Sequence, residues 1–574
     1  MATDKTINRH KPGTERCKNK ASKIFKGIAI NMLKQMFFLF RYYLEMFIDF
    51  LFSLYWDGHR RTIPALEKKH TLLKESAVAL AAKIRNKELK SRDLVAICIE
   101  RIKLVNPYLN AVTDERFEDA LKDAEEVDRM IEKGLSEEEF KKKPFLGVPF
   151  TAKESHAVLG MLHTLGIEAR RGVRVDYDAE CVRLLKEAGA IPVAVTNVPE
   201  INKWQETRNM VFGQTNNPYH CGRTVGGSSG GEAALCAALA SPIALLCSTR
   251  TVGGSSGGEA ALCAALASPI ALCSDIGGST RMPAFFCGLF GLNPTAGHTS
   301  LKGSVLRNGT DPTIASIGFA SKHLVDLVPL TKIVAADKAE LLQLDRQVDL
   351  KKIKYFYVES SKDIRISPIC SDLRKAMKRV ISRISDETTG DRSPRRYYHN
   401  GFNYMFALWK HAMTKETEVF AKMLTNNTGE VNGVCELGKK IIGQSSYTLA
   451  AILKLIDDQV LPAVNREWAE KLTGELKTDL LNTLGTDGVL LFPSAPSPAP
   501  YHYSLYLRPF NFAYWGIFNV LQMPSIQVPL GLNAEGIPLG IQVVAGPQQD
   551  ALCIAVAQQL TDMFGGYVPP CTVN

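Results

Sequence analysis

Residues 253–258, GGSSGG, and 275–279, DIGGS, are two glycine-rich loops that bracket a small-residue helix signal and a short apolar strand. Glycine lets a backbone take positive φ and come close to a ligand. The run Ile276-Gly277-Gly278-Ser279 can therefore turn successive N–H groups into one anion-binding concavity. A serine at the end of such a nest suits acyl transfer. Ser279 Oγ would attack a carbonyl carbon while the Ile276, Gly277 and Gly278 amides hold the oxygen that becomes negative. Either loop alone reads as a flexible connection, whereas two at this spacing, joined by helix and strand, point to a site.

The elements around the loops are strands and helices in mixture. Alternating charged and apolar residues over 65–134 predict amphipathic helices, with Gly134 as a C-cap. A strand over 144–151, a helix over 178–189 and a buried strand, AIPVAVTNV, come next in the chain. Residues 360–480 are mostly helical in pattern, and VLLFPS, SIQVPLGL and LGIQVVA read as strands, the last two joined by a turn at 533–536. A final helix is expected over roughly 549–563.

GGSSGG followed about two dozen residues later by DIGGS resembles the signature of the amidase signature family, Ser-Ser-Lys hydrolases. Within it, RPFNFAYWGIFNVLQMP (508–524) and PLGIQVVAGP (538–547) are most similar to the membrane-linked fatty-acid amide hydrolases. The resemblance runs from about residue 75 to the C-terminus and implies an α/β fold, a mixed twisted sheet covered by helices on both faces. It divides the chain into a leader, 1–64, and a catalytic domain, 65–574, in which 360–480 is a family-variable region and 510–520 helps line an acyl tunnel or simply packs the core. It implies a small lipid amide as substrate, with no cofactor and no metal.

The resemblance also assigns roles. FLGVPFTAKES supplies Lys153 at a strand end, Ser255 is the middle of the relay, its peptide bond is cis, and Arg281 braces the loop. A lysine is a poor base near its ordinary pKa of about 10.4, but burial away from carboxylates favours the neutral amine. Neutral Lys153 could take the proton of Ser255 as that takes the proton of Ser279, and the reversed relay protonates the leaving amine. His156 and His163 invite a Ser-His reading, but no acid pairs with them in sequence. The chain departs from the family at Gly318-Phe319-Ala320-Ser321-Lys322, where relatives carry Gly-Pro-Met and then an arginine.

Residues 223–245 and 250–272 are identical, RTVGGSSGGEAALCAALASPIAL, at an offset of 27. A solenoid needs three or more diverged copies; two identical ones read as a recent duplication or an error in the gene model. Two loops then compete for one site. Ser255 lies 24 residues before Ser279, the family-like spacing, whereas the lead-in NNPYHCGRTV joins the first copy, making Ser228 the alternative. Continuity of loop, helix, strand and nucleophile favours the second copy, with 223–249 as the excess.

The chain carries a net charge of +10, of which residues 1–64 supply +7 from 12 Lys/Arg and 5 Asp/Glu. That asymmetry argues against a nucleic-acid-binding body and for a basic leader beside a membrane. Over 24–56 the residues Lys34, Arg41, Glu45 and Asp49 fall within an arc of about 80° on a helix. The result is a narrow charged stripe and a wide apolar face. Membrane attachment is expected, spanning or in-plane, with burial at the subunit interface of a homodimer as the alternative. Thirteen cysteines with no CxxC pair indicate reduced thiols. Two rival functions stay open: a glutamine-hydrolysing amidotransferase subunit, and a catalytically impaired lipid-binding relative.

Overall fold

The computed structural model describes residues 13–61, 63–230, 269–309, 312–416 and 419–572. Its main sheet has eleven strands. In chain order they are β1 (Val112–Glu115), β2 (Pro149–Lys153), β3 (Ile191–Thr196), β4 (Ile270–Asp275), β5 (Phe290–Asn293) and β6 (Ser316–Ser321). The second half of the chain adds β7 (Lys354–Tyr357), β8 (Arg395–Arg396), β9 (Gly488–Pro493), β10 (Ser525–Leu532) and β11 (Pro538–Val544). Their order across the sheet is β1-β3-β2-β4-β6-β5-β10-β11-β9-β7-β8. β3, β2 and β4 run parallel, and β4 through β6, β5, β10, β11 and β9 pair antiparallel.

Every residue of β2, β3, β4, β6, β9 and β11 is buried. Successive side chains of a strand point to opposite faces, so strands buried along their whole length are covered on both sides. The fold is the mixed α/β sheet expected from the sequence. Several predicted elements recur within a residue or two, including a helix at Glu180–Glu187, Gly134 as a C-cap with φ +92°, and a last helix at Asp550–Phe564, whereas the strand expected over 144–151 starts only at Pro149 and runs to Lys153. The departing residues 318–322 lie on or just past β6, all buried, with Phe319 opposite Leu272 and Leu292.

Five helices shape the leader and the site: α1 (Gly13–Trp56), α2 (Arg281–Phe286), α3 (Met405–Met413), α4 (Leu449–Gln459) and α5 (Ala513–Leu521). The charged stripe of α1 turns inward. Arg41 donates to the carbonyls of Ile364 (2.6 Å) and Arg365 (3.0 Å). Arg508, itself buried, bridges Glu45 (2.6 Å) and Asp49 (2.8 Å). At the helix end the Trp56 ring meets His502 edge-on, centroids 5.2 Å apart. The opposite face is left bare, with Leu33, Phe40, Phe47, Leu51 and Leu54 all exposed.

The expectation of a transmembrane helix is corrected here. Among the described residues no helix is long and apolar enough to cross a membrane. The 44 residues of α1 have the length, but its charges are spaced so that every stretch of spanning length holds some of them. Of these, Arg41, Glu45 and Asp49 make contacts with the enzyme body.

Candidate active site

The site is assembled where parallel strands end together. β2 pairs with β4 through Phe150↔Ile270, Thr151↔Ala271 and Ala152↔Leu272, which sets Lys153 beside the C-terminal end of β4. The Lys153 side chain is fully buried, its Nζ 2.6 Å from Ser228 Oγ and 3.1 Å from Ser274 Oγ. Its neighbour Glu154 accepts the Leu165 N–H at 2.9 Å and the Thr164 N–H. Burial pushes the Glu154 carboxyl up to about 8, against those hydrogen bonds and the Arg170 charge.

The two histidines take no part in this arrangement. His156 Nδ1 meets Ser304 Oγ at 2.8 Å, and His163 Nε2 meets the Ser155 carbonyl at 3.2 Å. Burial lowers both, His156 well below the usual imidazole range with help from Lys153, and His163 to about 4. They are neutral packing residues at neutral pH.

The serine beside Lys153 comes from the first copy of the repeat. Its loop is tied to the lead-in that precedes it. Asn217 Nδ2 donates to the carbonyls of Thr224 and Phe286, both at 2.9 Å, and the Thr224 N–H donates to the Pro500 carbonyl at 2.8 Å. Arg223 reaches Glu535 at 2.7 Å. Gly226 has φ +88°, the Gly227–Ser228 peptide is cis, and a Cβ at Gly227 would run into the Trp204 carbonyl. The favoured relay serine, Ser255, lies outside the described residues, as does all of 231–268. Strand β4, however, begins at Ile270, within the second copy. The site thus takes its loop from one copy and its strand from the other, a combination not anticipated.

The DIGGS loop leaves β4 at Asp275 and enters α2. The Ser229 N–H donates to the Ser279 carbonyl at 3.1 Å and so stitches the two serine loops together. Ser279 is 8% exposed and Ser228 1%, so Ser279 is the one an incoming carbonyl can reach. Asp275 holds the loop from within, accepting the N–H groups of Gly278 (2.8 Å), Thr280 (3.1 Å) and Arg281 (3.3 Å). Arg281, fully buried, meets Asp275 through Nε (3.1 Å) and Nη2 (2.9 Å), and also Gln542 (2.8 Å), Asn519 (2.7 Å) and the Trp515 carbonyl (3.1 Å). Burial alone would raise the Asp275 carboxyl; the Arg281 charge and the converging donors hold it below the usual range instead. The bracing expected of Arg281 is thereby seen in detail.

Of the three amides expected to face the oxyanion, that of Gly278 is engaged by Asp275. Those of Ile276 and Gly277 have no partner among the described residues. Gly278 has φ +104°, and a Cβ there would strike the Trp515 side chain.

Ser279, Ile276 and Gly277 open on a cavity of about 400 Å³. Its walls include Phe406 and Trp409 from α3, Leu453 and Ile456 from α4, and Phe510 and Phe512 before α5. The aromatic stretch 510–520 therefore divides, its first rings lining the cavity while Trp515, Ile517 and Phe518 pack the core. Residues 318–322 do not line it. Sequence reasoning missed Ser274, although a hydroxyl immediately before DIGGS was a usable signal; it missed Trp409, which no local pattern marks, and it gave no role to Asn519 and Gln542 within the family-like stretches 508–524 and 538–547.

The Amidase family model matches residues 93–245 and 246–554, breaking at the end of the first repeat copy. Homo sapiens fatty-acid amide hydrolase 2 is 39% identical over 511 residues, 87% of this chain and 91% of the relative. Danio rerio fatty-acid amide hydrolase 2-B is 38% identical over 533 residues, 91% and 96% of the two chains. Among solved structures, a fatty acid amide hydrolase superposes with a TM-score of 0.65 at 19% identity, covering 87% of this chain and 86% of that one. A 6-aminohexanoate cyclic dimer hydrolase with substrate gives 0.62 at 21%, covering 86% and 97%. The chain belongs to the amidase signature family. It is an amide-hydrolysing enzyme, similar to fatty-acid amide hydrolase 2 over most of its length.

Proposed function

We propose that the enzyme cleaves long-chain fatty-acid amides to fatty acid and amine through a Lys153–Ser228–Ser279 relay. The observation that carries this is the buried contact of 2.6 Å between Lys153 Nζ and Ser228 Oγ, next to a serine that opens into an aromatic, apolar cavity. Ser279 Oγ attacks the amide carbonyl and gives its proton toward Ser228, which passes its own to Lys153. The same path in reverse delivers a proton to the nitrogen as the C–N bond breaks, and water then hydrolyses the acyl-enzyme. The Ile276 and Gly277 amides stabilise the oxyanion. Labelling with a fluorophosphonate tests the assignment: mass spectrometry should place the single adduct on Ser279, and an adduct on Ser228 or on a cysteine would refute it.

Proton delivery matters most where the leaving group is poor. An amine anion leaves badly, whereas an alkoxide needs less help. Lys153→Ala is therefore expected to depress turnover of an amide more than that of the ester with the same acyl chain. Equal losses on the matched pair would show that Lys153 does not carry the proton.

The bare face of α1 supports in-plane attachment to a membrane, with the charged stripe against the enzyme and the apolar side toward lipid. Removing residues 1–64 would be a poor test, since it also strips Arg508 of Glu45 and Asp49. Phe40→Glu with Phe47→Glu and Leu51→Glu changes only exposed positions. This triple variant is expected to stop sedimenting with liposomes while keeping its turnover of a short soluble amide. Unchanged sedimentation would place the attachment elsewhere.

A further inference from the structure

We propose that Trp409 is a positioning residue for catalysis, the side chain that aims the Gly277 amide at the oxyanion. This role rests on Ser279 being the nucleophile and adds a part of the chain that the signature loops do not contain. Trp409 belongs to α3, and its indole N–H donates to the Ile276 carbonyl at 3.0 Å. Ile276 and Gly277 share one peptide unit. In a trans peptide the C=O and N–H point in opposite directions from a rigid plane. Holding the Ile276 oxygen therefore fixes the direction of the Gly277 hydrogen, and the bond to Trp409 points it away from the indole.

Nothing else in the loop does this for that peptide. Asp275 takes the N–H groups of Gly278, Thr280 and Arg281, leaving the Ile276–Gly277 unit without a bond to it and with a glycine joint on one side. Without a partner for its carbonyl the unit would be free to turn on its Gly277 side, where no Cβ restrains it. The indole is in turn wedged in place. Its ring meets Phe512 edge-on at 4.6 Å and 79°, a Cβ at Gly516 would come within 2.9 Å of its Cδ1, and one at Gly277 within 3.2 Å of its Nε1. Both glycines leave the room it occupies. Trp409 also lines the cavity, so the helix that shapes the substrate channel is the helix that sets the donor.

The test separates the N–H from the ring. Trp409→Phe loses the donor and some bulk. Incorporating a benzothiophene analogue of tryptophan at 409 loses the donor and keeps the shape. For both proteins kcat is expected to fall about 10-fold on amide and ester alike, with KM within about 2-fold; outright loss of an oxyanion donor costs about 10²–10³-fold. The Ki of a trifluoromethyl ketone, which mimics the tetrahedral adduct, should rise by the same factor. An unchanged kcat in the benzothiophene protein, or an effect confined to KM, would overturn the proposal and leave Trp409 a wall residue. The wild-type fluorophosphonate adduct decides the nucleophile separately. If it falls outside Ser279, both proposals fail, and if it falls on Ser279 while kcat holds, only this one does.

Discussion

Ser228→Ala is expected to lower kcat/KM for a fatty-acid amide by about 10²–10⁴-fold, the range for loss of a positioned proton carrier, while Ser255→Ala stays within about 2-fold of wild type. The two serines sit in identical 23-residue contexts, so the contrast isolates tertiary placement. Ser228 Oγ is the group found 2.6 Å from Lys153 Nζ. Steady-state kinetics on both variants, with the fold checked by circular dichroism, settles the matter. The reverse pattern would mean that the second copy supplies the loop. Excising 223–249 or 246–272 yields the same shortened chain, because the copies are identical. That chain joins the first-copy lead-in directly to β4 with one loop and one helix between. It is expected to keep wild-type activity, and a loss of more than about 10-fold would show that the extra length serves the enzyme.

Arg281→Ala is expected to cost about 3–5 kcal/mol of stability, the range for removing one partner of a buried ion pair and stranding the other. Both Arg281 and Asp275 side chains are wholly buried, at 0% exposure. The Gly278, Thr280 and Asn519 donors would remain on Asp275 but supply no compensating charge. The change should appear as a lower urea midpoint with activity lost in parallel, since the same carboxylate shapes the nucleophile loop. A loss under about 1 kcal/mol would mean that the neutral donors suffice.

These two residues also mark how far local pattern reaches. DIGGS was enough to place the proposed nucleophile, and the resemblance added its brace Arg281, but the role of Asp275 beneath the loop was seen only in the structure. Lys153 was legible only through the resemblance, which asks for a lysine at a strand end that FLGVPFTAKES supplies. The charged stripe of α1 was legible from 100° periodicity, but not its direction. A helix with one charged and one wide apolar side can turn either toward protein, and only the partners Arg508, Ile364 and Arg365 show that the charges face inward.

What the sequence by itself determined is the family and the α/β sheet, and through the resemblance the expectation of one serine between the DIGGS loop and Lys153. It could not choose that serine, since 223–245 and 250–272 carry the same residues and hence the same local preferences. The tertiary structure sets Ser228 beside Lys153, and the reason lies at the two ends. Asn217, Thr224 and Arg223 anchor the first loop to a lead-in a few residues upstream, while β4 is pinned by direct connection to the loop that carries Ser279. Each anchor uses the copy adjacent to it in the chain, so the length added by the repeat falls within 231–268, between them. The third wall of the site, Trp409 over Gly277, was equally beyond the sequence, because a contact across 133 positions leaves no periodicity to read.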